Sequence, residues 1–370
     1  MTDPEILPPD ENESPTEASL YVSADAPIEP PSPEEIRAEK ASIRSVMSRC
    51  GWATLALSLT MFLSSQVLGI VLFLLREMGY PAVEAYERIL LYVNEVLIAL
   101  SVLAGLLVLV GMPTARPERR PLTPKLFFTL LPIAFAMGSA GNTLGNILIT
   151  LWNSLTGNEV SNQLVEILMK LGPVQILICT GLLAPILEEL FFRKLLIDRM
   201  RIHGDAMAIL VSAVLFGLFH QNFSQFFYAF GIGLLLGYLY CRTGSYLAVT
   251  LLHMTFNVVS GVIPTLLSQE ILPFTEALSA LPDTGSIEAF LSLFAEYAIP
   301  LLLYALYAAL SGALNVLGVI FFIIGLRRLK LDPPITLLTQ KERRRAVILN
   351  AGMIAASLVL IAFTVMSLFP

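Results

Sequence analysis

Seven residues set in otherwise apolar runs have the types and spacing to do chemistry. They are Glu188, Glu189 and Arg193 in EELFFR, Phe216 and His220 in FGLFH, and His253 and Asn257 in HMTFN. A charge at membrane depth costs at least ~2.5 kcal/mol on insertion scales, so three charges within one apolar run require an explanation. Successive helical residues project ~100° apart, which keeps Glu188 and Glu189 off a common face. Glu189 and Arg193 are four apart in the favourable acid-then-base order and can pair, leaving Glu188 without an intrahelical partner. His253 and Asn257 also stand one turn apart and project toward one point, as do Phe216 and His220.

Each feature alone has a plainer explanation. Glu188 could bond a neighbouring helix, His253 and Asn257 could form an interhelical pair, and His220 could cap a helix end. Together, one carboxylate, two imidazoles and one amide supply the parts of a hydrolytic site: a base for water, a proton relay, and N–H groups for a developing oxyanion. A serine or cysteine nucleophile has less support, because no GxSxG occurs and Cys241 is expected in a turn. HExxH is absent, although Glu188, His220, His253 and Asn257 have the donor types to ligate a metal. The third histidine, His203, falls in a basic loop and reads as a solvated surface residue. Cys50, Cys179 and Cys241 are too dispersed for a disulfide framework or a thiolate metal site and read as packing residues.

The elements that must position these residues follow from composition. The chain of 370 residues is 56% hydrophobic and 14% charged, with a mean hydropathy of +0.74, which marks a polytopic membrane protein. Residues 1–36 carry ten acidic residues and no Lys or Arg, so the rest holds 23 basic against 19 acidic residues. That proline-rich segment buries too little apolar surface to order itself and reads as a disordered acidic tail. It has no signal-peptide pattern, so the first span is expected to target the chain to the membrane. Ser32, Pro33 and Glu35 have the pattern of a capping box opening a surface helix through about Val46.

Apolar runs recur at 52–75, 89–111, 126–152, 173–197, 205–221, 224–240, 245–265, 299–326 and 346–368, most of them near the ~20 residues that a span needs. The fold class expected is all-α: a polytopic transmembrane helical bundle of about nine spans. Lys and Arg crowd alternate loops, from Arg116, Arg119, Arg120 and Lys125 to the cluster Arg327–Arg345, whereas residues 266–298 have none. By the positive-inside rule this places the N-terminus in the cytoplasm. The fifth and sixth spans are short, and residues 287–293 suit an outer surface. Gly138, Gly141 and Gly145 in the third span and Gly233 and Gly237 in the sixth have the spacing that lets backbones approach closely. Counted from the cytoplasmic ends, Glu188 lies roughly 16 Å deep, His253 roughly 12 Å and His220 roughly 22 Å. A shared site therefore requires the fifth span to start below the surface or to tilt.

The three motifs, in order and on separate spans, resemble the EExxxR, FxxxH and HxxxN motifs of the CPBP family. That family comprises CAAX-type prenyl proteases and bacteriocin-processing enzymes and is also known as ABI. The resemblance covers roughly residues 173–262 and implies an integral-membrane endopeptidase. It makes Glu188 the general base and His220 its partner in activating water. His253 and Asn257 stabilise the oxyanion, while Glu189 and Arg193, with Phe216 of the second motif, support the site. The family is described both as metal-dependent and as glutamate-dependent without metal. An amide is a poor zinc ligand and no thiolate is at hand, so the expectation is no cofactor, with a divalent metal such as zinc on Glu188, His220 and His253 as the alternative.

The expected organisation is an acidic tail (1–36), a surface helix with spans one to three (37–172), a CPBP-like core (173–265), and an extracytoplasmic loop with spans eight and nine (266–370). The expected partners are the lipid bilayer and a membrane protein or a lipidated or hydrophobic peptide as substrate, with no nucleic acid. The expected location is the cell membrane, in multi-pass form. Competing readings are an ion-coupled transporter, where intramembrane Glu and His relay protons, and a catalytically silent scaffold or immunity protein. The transporter reading lacks repeated halves and paired broken helices.

Overall fold

The structure, a computed structural model, describes residues 31–80, 83–157, 160, 163–281, 287–327, 331 and 336–369. The expected tail up to residue 30, and Arg328 and Lys330 of the basic loop, lie outside them. The regular elements among the described residues are all helices, with no strand. Helix α1 spans Pro33–Glu77, α2 Val83–Leu109 and α3 Pro124–Thr156, followed by the short α4 at Gln163–Met169. Helix α5 runs Pro173–His203, α6 Asp205–Phe219, α7 Phe223–Thr243 and α8 Tyr246–Ser279. The amphipathic α9 (Ile287–Glu296), α10 (Ala298–Leu326), α11 (Gln340–Ile348) and α12 (Ala351–Met366) complete the order.

The capping box at Ser32 forms: its hydroxyl accepts from the Glu35 amide at 3.2 Å, and the Glu35 carboxylate accepts from the Ser32 amide at 2.7 Å. The helix it opens does not stop near Val46. It runs unbroken for 45 residues, so the expected surface helix and first span are one element. The only weak helix former near the expected break, Gly51, costs ~1 kcal/mol. At that point α1 meets α12, where a Cβ on Gly51 would fall on the backbone of Gly352, and the Gly352 amide donates to Ser48 Oγ at 3.0 Å.

Six helices are long and apolar enough to cross a membrane: α1, α3, α5, α7, α8 and α10. The bent pair α11 and α12, at 63°, makes seven if counted as one span. The chain is therefore a multi-pass membrane protein. Two of the nine expected spans fall short. The apolar part of α2 is confined to Glu95–Leu109, and α6 has 15 residues, about 22 Å against a ~30 Å hydrocarbon core. Leucine, isoleucine and phenylalanine side chains stand exposed along α1 and α10, as lipid-facing surfaces require.

Helices α5 to α8 form the centre. The wall of α7 against α3 is set by glycine. A Cβ on Gly141 would fall on the Tyr228 backbone, and one on Gly145 would come within 2.7 Å of the Ser224 carbonyl oxygen. On the other side of α7, Gly233 would meet Ala213 Cα of α6 at 3.1 Å. With lipid tails as apolar as leucine, such close backbone approach is the main source of helix association. The expected packing role of these glycines is what the structure shows.

Candidate active site

Helix α5 is not uniform. Two stretches with wide, π-type turns, Leu177–Leu183 and Leu190–Ile197, flank an ordinary α-helical segment, Ala184–Glu189, which ends on the two glutamates. A third wide stretch, Val258–Val262, follows Asn257 directly in α8. Wide turns add a residue to the helical ladder and recur at functional sites. Here all three adjoin residues singled out by the sequence.

Glu189 and Arg193 are fully buried and lie 2.9 Å apart, as their spacing predicts. The contact is one of charge, since Arg193 Nε does not align with the oxygen for a hydrogen bond. Arg193 Nη1 donates to Ser212 Oγ at 3.1 Å, and the guanidinium lies over the Phe216 ring, 4.8 Å from its centroid. The other Glu189 oxygen accepts from His253 Nδ1 at 3.0 Å. Glu189 therefore links arginine to imidazole.

Glu188 turns the other way, with one carboxylate oxygen 3.8 Å from His253 Nε2. His220 caps α6, and its Nδ1 donates to the Phe216 carbonyl at 2.8 Å. The Phe216 ring packs edge to face with both imidazoles, with centroids 4.9 Å from His220 and 5.9 Å from His253. Asn257 Nδ2 donates to the Thr180 carbonyl at 2.9 Å, inside the first wide turn of α5. Glu188, His220, His253 and Asn257 all line one cavity of about 200 Å³.

The depth mismatch resolves along the chain. Because α5 continues helically to His203, Glu188 lies as far before that turn as His220 lies after Asp205. The α5–α6 hairpin thereby brings both to one level. Directly after His220 the backbone turns sharply: Gln221 takes a left-handed conformation, φ 51°, and is the one non-glycine residue among those described to do so. Such a conformation costs of order 1–3 kcal/mol and persists where surroundings enforce it. Asn222 then caps α7, accepting from the Gln225 amide at 3.1 Å.

Both imidazoles have Nδ1 committed as donor, His220 to a carbonyl that can only accept and His253 to a carboxylate. In neutral form each therefore presents Nε2 as an acceptor. Direct donation from His253 to an oxyanion requires a second proton on its ring. The polar groups that sequence reasoning missed include the Tyr228 hydroxyl and the Gln225 amide, both on the cavity wall. Their signal was present: a glutamine and a tyrosine three apart inside an apolar run. Also missed was Glu95 of α2, with one buried oxygen that has no hydrogen-bond partner among the described residues.

Two expectations need correction. His203 is 8% exposed, not solvated, because it closes a tight turn against α6. Cys241 sits in the last turns of α7 and not in a loop. Among the described residues no three His, Cys, Asp or Glu side chains gather closely enough to hold a metal ion.

Residues 170–259 match a family model described as type II CAAX prenyl endopeptidase Rce1-like. The match spans all three motifs. No curated protein and no solved structure matches the chain.

Proposed function

From a multi-pass membrane chain whose residues 170–259 are an Rce1-like segment, we propose an intramembrane endopeptidase that cleaves a membrane-associated protein or a lipidated or hydrophobic peptide by means of a water activated at Glu188. The observation that carries this reading is the 3.8 Å gap between Glu188 and His253 Nε2 in a shared cavity. The gap is too wide for a direct hydrogen bond and suits groups that share a water.

In this mechanism Glu188 removes a proton from the water as it attacks the scissile carbonyl. The proton passes to His253 Nε2, and the resulting imidazolium is held by Glu189 through Nδ1–H. It faces the new oxyanion and then protonates the leaving amine. Asn257 adds an amide N–H to the oxyanion side, and His220 Nε2 accepts from the attacking water. Arg193 lies against Glu189, and Phe216 packs edge to face with both imidazoles. No step is routed through a metal.

The test replaces Glu188 with Gln in the full-length protein, expressed in its own membrane, and compares membrane-associated peptides by mass spectrometry. Cleavage products are expected to disappear with the protein still folded and at normal abundance. An unchanged peptide profile at equal abundance would sink the proposal. Fractionation in the same experiment checks the expected location in the cell membrane.

A further inference from the structure

Beside the cavity that holds Glu188 lies a second, larger one of about 440 Å³, and the two share Thr180, Tyr228, Phe256 and Asn257 as a common wall. It opens between α3, the end of α4, the wide turn of α8 with the turns beyond it, and α10. We propose that this annex is the subsite for the substrate chain on one side of the scissile bond, and that it takes an extended peptide segment with uncharged side chains, held through its backbone. The inference rests on the endopeptidase reading above.

The lining is unusual for a membrane interior. Ser139 and Asn142 of α3 and Ser260, Thr265 and Ser268 of α8 face the space. Ser260 and Thr265 spend their hydroxyl protons on the carbonyls of Phe256 and Gly261, at 2.6 and 2.7 Å, which leaves their oxygens as acceptors. Ser139, Asn142 and Ser268 have no side-chain partner among the described residues. They remain free to donate. An extended peptide brings both matching groups, N–H for the first set and C=O for the second. An isoprenoid chain brings neither and would leave Ser139, Asn142 and Ser268 without a partner, which is costly in hydrocarbon.

Charge decides the side chains. Among the described residues no Lys, Arg, Asp, Glu or His lines the annex, so a charged substrate residue would enter without a counter-ion. Its apolar walls, with Phe135 and Phe256 edge to face at 5.7 Å, suit small or aliphatic side chains. The wide turn Val258–Val262 carries Ser260, one turn beyond Asn257, on the wall of the annex. A peptide lying along α8 thus leads from the annex directly to the groups around Glu188.

The test uses full-length Glu188→Gln protein in nanodiscs, which binds without turning over. The probe is an acetylated, amidated Ser/Ala/Leu peptide carrying a benzoylphenylalanine photo-crosslinker. Its label is expected on segments 139–142 and 260–268. A companion peptide with Asp and Lys in place of Ser should label about tenfold less, and Asn142→Leu and Ser268→Leu should each cut labelling by about tenfold, as for one lost hydrogen bond. Excess farnesol should not compete. Absent labelling, label elsewhere, equal labelling by the charged peptide, or displacement by farnesol overturns the annex as a peptide subsite, the last in favour of a lipid. The same neutral peptide offered to wild-type protein separates the two claims. Label in the annex without any cleavage sinks the endopeptidase reading alone, while cleavage with label elsewhere sinks the annex alone.

Discussion

Glu189 is the residue on which the site's charge arrangement turns, because it contacts a buried guanidinium and a buried imidazole at once. Removing one partner of such a pair leaves the other charge uncompensated, which typically costs about 3–5 kcal/mol. Glu189→Gln is therefore expected to lower stability by about that amount in detergent unfolding, whereas the double change Glu189→Leu with Arg193→Met should cost clearly less. Equal stability of the single variant and wild type would show that the pair does not hold the helices. The surviving Glu189→Gln protein should lose turnover more than substrate affinity, since His253 would lose the carboxylate that stabilises its proton; a KM effect alone would contradict that role. His253→Gln should be as inactive as Glu188→Gln in the same cleavage assay, and activity within about tenfold of wild type would remove His253 from the proton path. At this scale the sequence is informative wherever spacing fixes a contact, as for Glu189 and Arg193. It is silent on which imidazole stands nearest Glu188. That depends on how helices far apart in sequence pack, and α8, not α6, supplies the nearer ring.

Helix α7 shows how elements carry the site. Its register against α3 rests on Gly141 and Gly145, which let the Tyr228 and Ser224 backbone close in. Gly141→Leu should force the helices apart, lowering stability by about 1–3 kcal/mol and reducing cleavage. Gly69→Ala in α1, where nothing lies within 4 Å, is the control and should be neutral or raise stability by up to ~1 kcal/mol. If both glycines tolerate substitution equally well in thermal unfolding, the α3–α7 contact is not limiting. The glycine spacing is legible in the sequence because small residues at fixed intervals have few other uses in an apolar helix. The wide turns in α5 and α8 are not legible there, because a single extra residue in a ladder leaves no mark in composition. The apparent depth mismatch has a related origin: the apolar run at 173–197 stops at basic residues, although the helix persists through His203. The same basic residues make His203 look solvated.

For the whole molecule, the helices that bear the motifs are enclosed by helices that bear none. Helix α12 lies against α1 at Gly51 and Gly352 and also touches α6 and α7, behind the helix that ends on His220. The carbonyl of Leu368 accepts from Trp152 Nε1 at 3.0 Å, and Ser367 Oγ accepts from the Phe223 amide at the same distance. A chain stopped after Leu349 retains every motif residue, yet it is expected to lose cleavage and to unfold at a lower temperature than the full chain. Retained activity would show that the motif-bearing helices are self-sufficient. The motifs, confined to about a quarter of the sequence, give no indication of this enclosure, because it depends on residues such as Ser48, Gly51 and Gly352 that meet only in three dimensions. The contact between α1 and α12 also orders events in time. Helix α1 leaves the ribosome well before α12, and the surface by which α12 covers it does not exist until synthesis has passed Met366, so this contact cannot close while the chain is being made.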